Sequence, residues 1–212
     1  MVDTRHEYAR VADAYLPVAL VVFVLVAGAA GYCLLRWRVR EGRDLEPSRR
    51  HQNAPLEIAY VAGLAIVVAA LLTLTLHVEG REDASARQPA LRVDVTAAQW
   101  TWTFAYPGTG VVQEPPEDRP TTLVVPAGRT VVFAGRSADV IHDFWVPDVR
   151  FQRQLFPDHT EHFDLVFAKP GTYQGICAQF CGLEHQNMHF DVRAVSPAAF
   201  ARWLARRQAA PA

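Results

Sequence analysis

The chain has 212 residues, 50% of them hydrophobic and 20% charged, with a formal net charge of −1. That length leaves no room for several large domains, and the near-neutral balance gives no reason to expect a nucleic-acid partner. The average conceals two regions: residues 1–80 hold two long apolar runs, and residues 81–212 read as a mixed domain that faces water.

The first run, Leu16 to Leu35, is twenty residues without a charge, and the second, Ile58 to Leu76, is nineteen. Each is long enough to cross about 30 Å of hydrocarbon as a helix. Mixed charges precede the first run (Asp3, Arg5, Glu7, Arg10, Asp13), and no small-residue cleavage site stands out after it. Two retained spans are therefore expected, at about 16–35 and 58–76, rather than a signal peptide. The loop between them carries Arg36, Arg38, Arg40, Arg43, Arg49 and Arg50 against Glu41, Asp44 and Glu46. By the positive-inside rule it is cytoplasmic, which puts both termini and the second domain on the outer face of a bacterial plasma membrane. That compartment permits disulfides.

After a polar linker at 79–90 the hydrophobic period changes to two. "LRVDVTA", "QWTWTFAY", "TTLVVPAG", "RTVVFAG", "ADVIHDFWV", "EHFDLVF", "GTYQGIC" and "MHFDVRAV" read as short strands separated by turn chemistry such as Pro107-Gly108 and Pro170-Gly171. Strands at this spacing, with no helices between them, predict an antiparallel sandwich or barrel. A closing helix follows, capped by Ser196, with Pro197 in its first turn and Phe200, Trp203 and Leu204 as its apolar stripe.

"CAQFCGLEHQNM", residues 177–188, holds two of the three cysteines, the only internal methionine and a histidine. Cys177 and Cys181 could pair as a disulfide, or bind zinc with His185. Zinc has little use for a thioether, whereas copper sites commonly add a weak methionine ligand, here Met188. Two cysteines four apart on a loop that turns back could also bridge a pair of metals, which would need a second histidine. His142, in "SADVIHDFWVP", is the candidate; alone it would read as a core histidine, but the cysteine loop supplies the reason for it.

These pieces together resemble subunit II of haem–copper cytochrome c oxidase: two N-terminal spans, "QWTWTFAY", "SADVIHDFWVP", "PGTYQGICAQFCGLEHQNM" and a terminal helix. The resemblance covers nearly the whole chain, and its C-x-x-x-C-x-x-x-H-x-x-M motif is highly specific. It implies a two-helix transmembrane hairpin (1–80) and an all-β cupredoxin-like Greek-key sandwich with a C-terminal helix (81–212). It further implies a dinuclear copper centre, CuA. Cys177 and Cys181 would bridge the coppers; His142 and Met188 would complete one, and His185 with the Gln179 backbone carbonyl the other. Trp100 would be where electrons arrive from cytochrome c, and Glu57 would serve the entrance of a proton channel. The implied partners are oxidase subunit I, which holds the haems and reduces oxygen, and subunit III.

Three departures and one absence qualify the resemblance. Gln179 stands where many members have a glutamate that also binds magnesium, and Gln154 where they have an aspartate, so the magnesium site loses its charge while the copper carbonyl survives. The loop's form is similar to that of the B-type oxidases of thermophiles, which typically keep a single span. Tyr60 replaces the tryptophan that often follows the position of Glu57. No C-x-x-C-H occurs, so no c-type haem is attached. Acidic residues Glu114, Glu117, Asp118, Asp143 and Asp148 suit either a basic donor or an ordinary solvated surface. Two rival readings remain at this point: the CuA subunit of a nitric oxide reductase, and a membrane-anchored copper-binding or delivery protein.

Overall fold

The structure, a computed structural model, describes residues 4–38, 52–82, 89–117 and 119–209. The chain divides into two units, one from Ala9 to Val78 and the other chiefly from Glu79 to the C terminus.

The first unit holds most of α1 (Thr4–Arg36) and of α2 (Ala54–Glu82). α1 extends the charge-free stretch mainly at its N-terminal end and α2 extends it at both ends. Tyr8–Arg36 and Ala54–Val78 are long and apolar enough to cross a membrane. Leu20, Phe23, Leu25, Ile58 and Ile66 stand exposed along them, a pattern that suits hydrocarbon surroundings better than water. The Tyr15 hydroxyl reaches the Thr75 hydroxyl at 2.8 Å and the Leu71 carbonyl at 3.2 Å, joining the two helices by polar contact. Most of the loop charges on which the expected orientation rests, Arg40, Arg43, Arg49, Arg50, Glu41, Asp44 and Glu46, lie outside the described residues, as does Asp118.

The second unit is a sandwich of two five-stranded sheets. One sheet has the order β3 (Val111–Gln113), β2 (Thr101–Tyr106), β1 (Leu91–Ala98), β5 (Thr130–Ser137), β8 (Glu161–Val166). The other has β4 (Thr121–Pro126), β10 (His189–Val195), β9 (Gly171–Cys177), β6 (His142–Val146), β7 (Phe151–Leu155). Alternation decides which side chains face inward: β1 buries Val93, Val95 and Ala97 and turns Arg92 and Asp94 outward. The core between the sheets is aromatic. Trp102, Phe104, Phe133, Phe144, Phe163 and Phe190 are fully enclosed, with Phe144 stacked on Phe190 at 4.6 Å. Each such ring removes about 150–250 Å² from water.

Each sheet contains one parallel pair, β1 with β5 and β4 with β10, in an otherwise antiparallel set. The purely antiparallel expectation fails there because the chain crosses to the other sheet between these strands, and such an excursion returns it in its original direction. Two strands, β3 and β7, are not foreseen from the sequence pattern. Both are edge strands, one only three residues long and the other polar through Gln152, Arg153 and Gln154. "QWTWTFAY" is not one strand: Gln99 and Trp100 form the turn between β1 and β2, and residues 138–141 likewise precede β6 as a turn.

The C-terminal helix α3 (Pro197–Ala209) starts as the sequence indicates, with the Ala199 N–H donating to the Ser196 hydroxyl at 3.3 Å. Phe200 is buried, and Trp203 packs edge-on against Tyr106 at 5.2 Å. Tyr106 in turn ties the two sheets together. Its hydroxyl donates to the Val124 carbonyl and accepts from the Val124 N–H, both at 2.9 Å.

A candidate metal centre

Cys177 is the last residue of β9, and Met188 directly precedes β10. The Cys177 N–H donates to the Met188 carbonyl at 3.0 Å, so the intervening loop is pinched shut at its base. β6 runs beside β9 with Phe144 opposite Cys177, and the Ala178 N–H donates to the Asp143 carbonyl at 3.2 Å. This pairing sets His142, the first residue of β6, against the mouth of the loop. A turn of 3-10 helix, His185–Asn187, brings the His185 ring back toward Cys181.

The donor atoms converge. Cys177 Sγ lies 3.8 Å from Cys181 Sγ, 3.8 Å from His142 Nδ1 and 3.2 Å from the Gln179 carbonyl oxygen. Cys181 Sγ lies 3.5 Å from His185 Nδ1 and 3.7 Å from Met188 Sδ. His142 is 0% exposed, Met188 1%, Cys181 4% and Cys177 5%, so the space among them is closed to bulk solvent. Both cysteines are free thiols, so the disulfide alternative is not what the fold contains.

These separations suit a metal. A tetrahedral site with bonds of about 2.0–2.3 Å has edges of about 3.3–3.8 Å, the range found between the sulfurs and nitrogens here. The donor chemistry favours copper over zinc, because a buried thioether completes the set. Three sulfurs, two imidazoles and a carbonyl also exceed what one four-coordinate ion takes.

The electrostatics fit a site suited to positive charge. Burial opposes ionisation of Cys177, but contacts with His142 and Asp143 outweigh it and hold the thiol below its ordinary value. Burial and the neighbouring Cys177 push the Cys181 thiol up to about 12. Burial also opposes charge on His142, yet Cys177 and Asp139 outweigh it and hold the imidazole above its ordinary value.

Several groups outside the donor set fix its geometry. The His142 Nε2–H donates to Asp139 Oδ1 at 2.8 Å, which leaves Nδ1 turned toward the sulfurs. The Gln99 N–H donates to Asp139 Oδ2 at 2.8 Å, and its side-chain amide donates to the Cys181 carbonyl at 2.7 Å. Burial works against the charge on Asp139, but donors from Gln99, His142 and Val140 outweigh it and hold the carboxyl below its usual value. Neither Asp139 nor Gln99 stands out in the sequence. The only signal there is local: a Ser-x-Asp turn three residues before a candidate ligand histidine.

Trp100 and Trp102, which alternation puts on one face, separate completely. Trp102 is fully enclosed and points its indole N–H at the Met188 carbonyl at 3.5 Å, whereas Trp100 is half-buried in the turn above the loop. Glu57 lies in the first turn of α2 and accepts from the Asn53 N–H at 2.9 Å. Gln154 donates its amide to the Gln179 side-chain oxygen at 3.1 Å. These are the two positions where the resemblance places acidic magnesium ligands, and a mutually bonded neutral pair does not suit that ion.

Asp143 is not a surface acid. It is buried, accepts from the Gln152 amide at 2.7 Å, and burial pushes its carboxyl above the usual range. His159 lies outside the donor cluster, held between Asp158 (2.7 Å) and Glu161 (2.9 Å). Cys33 is exposed on α1.

Comparison with known proteins places the chain in a family. Residues 117–195 match the family model described as "Cytochrome C oxidase subunit II, periplasmic domain". The chain is 30% identical to the probable cytochrome c oxidase subunit 2 of Nocardia farcinica, over 90% of this chain and 68% of that protein. It is also 30% identical to the corresponding protein of Streptomyces coelicolor, over 85% of this chain and 70% of that one. The crystal structure of the periplasmic domain of subunit II of cytochrome oxidase from Bradyrhizobium japonicum superposes with a TM-score of 0.54 at 26% identity, covering 59% of this chain and 98% of that domain. The chain belongs to the cytochrome c oxidase subunit II family, and so is a subunit of a cytochrome c oxidase complex.

Proposed function

We propose that this subunit accepts electrons one at a time from cytochrome c and passes them to haem in subunit I, where oxygen is reduced to water. The observation that carries the reading is the convergence of Cys177, Cys181, His142, His185, Met188 and the Gln179 carbonyl at separations of 3.2–3.8 Å. Those residues would hold a pair of coppers. When bound, the copper pair would take up and release a single electron.

The protein's own part is to keep the ligands still. His142 and Cys177 stand on adjacent strands of a packed sheet, and the Cys177–Met188 backbone bond closes the loop, so the donors shift little when charge changes. The buried rings of Trp102 and Phe144 exclude water from the sulfurs. Trp100 offers a partly exposed aromatic face above the loop for the donor protein. Two spans would anchor the subunit in the plasma membrane with the sandwich on the outer face, beside subunit I and subunit III. Glu57 would stand at the cytoplasmic side, where it could serve proton uptake.

Rapid mixing of the copper-loaded protein with reduced cytochrome c tests this reading. The wild type is reduced, and Trp100→Ala keeps its copper spectrum but is reduced at least about tenfold more slowly. Equal rates would remove Trp100 from the path, and a wild type that cytochrome c does not reduce would contradict the proposed function.

A further inference from the structure

Three backbone and side-chain donors converge on the carboxylate of Asp139. Oδ1 accepts from His142 Nε2–H at 2.8 Å and from the Val140 N–H at 2.7 Å, and Oδ2 accepts from the Gln99 N–H at 2.8 Å. Gln99 continues the chain of contacts by donating its side-chain amide to the Cys181 carbonyl, the same oxygen that Trp100 Nε1 reaches at 3.3 Å. A bracket thus runs from His142 through Asp139 and Gln99 to Cys181, and Trp100 is the next residue along it.

We infer that Asp139, acting with Gln99, is a positioning residue that fixes both the orientation of the His142 imidazole and the distance between Trp100 and the copper ligands. The inference rests on the copper reading above. The turn itself uses the Ser137 hydroxyl, which accepts the Asp139 N–H and donates to the Val140 carbonyl, and Asp139 Oδ1, which accepts the Val140 N–H and lies 3.4 Å from the Ser137 hydroxyl. What the turn does not need is an acceptor for His142 on one oxygen and for Gln99 on the other.

Chemistry at position 139 separates these roles. An amide offers one oxygen and one NH₂ group, and every group facing the carboxylate is a donor. Asp139→Asn therefore sets an NH₂ against either His142 Nε2–H or the Gln99 N–H, and one contact is lost. It also removes a negative charge beside the centre, which favours the reduced form. The side chain is 32% exposed, so solvent screens part of that charge.

The test uses the full chain in detergent, with and without copper. Loaded Asp139→Asn should bind as much copper as wild type, with a raised reduction potential and electron uptake from reduced cytochrome c slowed about tenfold. Gln99→Ala keeps the Asp139–His142 contact, so its potential should stay at the wild-type value while uptake slows. Unchanged potential and uptake in Asp139→Asn, or unchanged uptake in Gln99→Ala, would overturn the inference. Nitrogen NMR of the metal-free chain reads the same contact without copper. The hydrogen-bonded His142 Nε2 proton should be seen in wild type and lost in Asp139→Ala, which offers no acceptor, and an identical signal in both would also overturn it. A wild type that takes no copper yet shows that NMR difference would defeat the copper reading and leave the positioning contact standing.

Discussion

The indole nitrogen of Trp100 donates to the backbone carbonyl of Cys181 at 3.3 Å, so the ring proposed to meet the electron donor touches the backbone of a proposed copper ligand. The hairpin turn between β1 and β2 is pressed onto the cysteine loop, and Gly182 makes that approach possible. Its φ is +124°, and a Cβ there would lie 3.0 Å from the Gln99 amide nitrogen and 3.1 Å from the Trp100 ring.

Gly182→Ala should therefore lift the turn. The backbone strain alone costs about 1–3 kcal/mol. A lower melting temperature together with a shifted Trp100 fluorescence is the expected result in the purified chain. An unshifted spectrum would mean that the ring does not rest on this glycine.

Tyr106→Phe removes the hydroxyl that both donates to and accepts from Val124 across the two sheets. Two buried backbone groups lose a partner, at a cost of about 1–3 kcal/mol. Denaturant titration should show the midpoint falling with the slope unchanged. Copper content should not change, because Tyr106 touches none of the donors.

Met188→Leu keeps the volume of a side chain that is 1% exposed, so the fold should lose less than about 1.5 kcal/mol. The thioether is gone, however, and with it one donor 3.7 Å from Cys181 Sγ. Absorption and EPR spectra of the loaded protein should change while far-UV circular dichroism does not. Identical metal spectra would exclude Met188 as a ligand.

Copper loading should strengthen as pH rises. The Cys181 thiol is pushed up to about 12 and His142 is held above its ordinary value, so protons compete with the metal at both more strongly than at a free thiol and imidazole. Raising the pH removes those protons in advance and favours the bound state. Each proton released steepens the dependence by about tenfold in affinity per pH unit. Competition titrations with a chelator at several pH values, correcting for the chelator's own protonation, read the slope. A flat line would mean that Cys181 and His142 carry no protons for the metal to displace.

Some parts of this molecule are legible in the sequence because the physics is local. Four donor side chains fall within twelve positions, and their spacing announces a ligand loop whatever the surrounding fold. The α3 cap at Ser196 and the inward residues of β1 follow from periodicity in the same way. Trp100 is harder to place, because W-T-W alternates like a strand while the chain is turning. Asp139 and Gln99 are hidden because they lie forty positions apart and meet only after β1 and β5 pair in parallel. The buried state of Asp143 depends on β7, an edge strand whose polar sequence conceals it. Long-range pairing, rather than residue chemistry, is the missing information.

Copper stoichiometry and EPR of the purified chain test the central claim most directly. Two coppers per chain and an intensely purple protein are the expected result. With one unpaired electron shared by the pair, the EPR hyperfine pattern should hold more lines than a single copper nucleus can give, and it should be lost in Cys177→Ser and in Cys181→Ser. One copper per chain with a single-nucleus pattern, or a colourless protein with none, would contradict the claim.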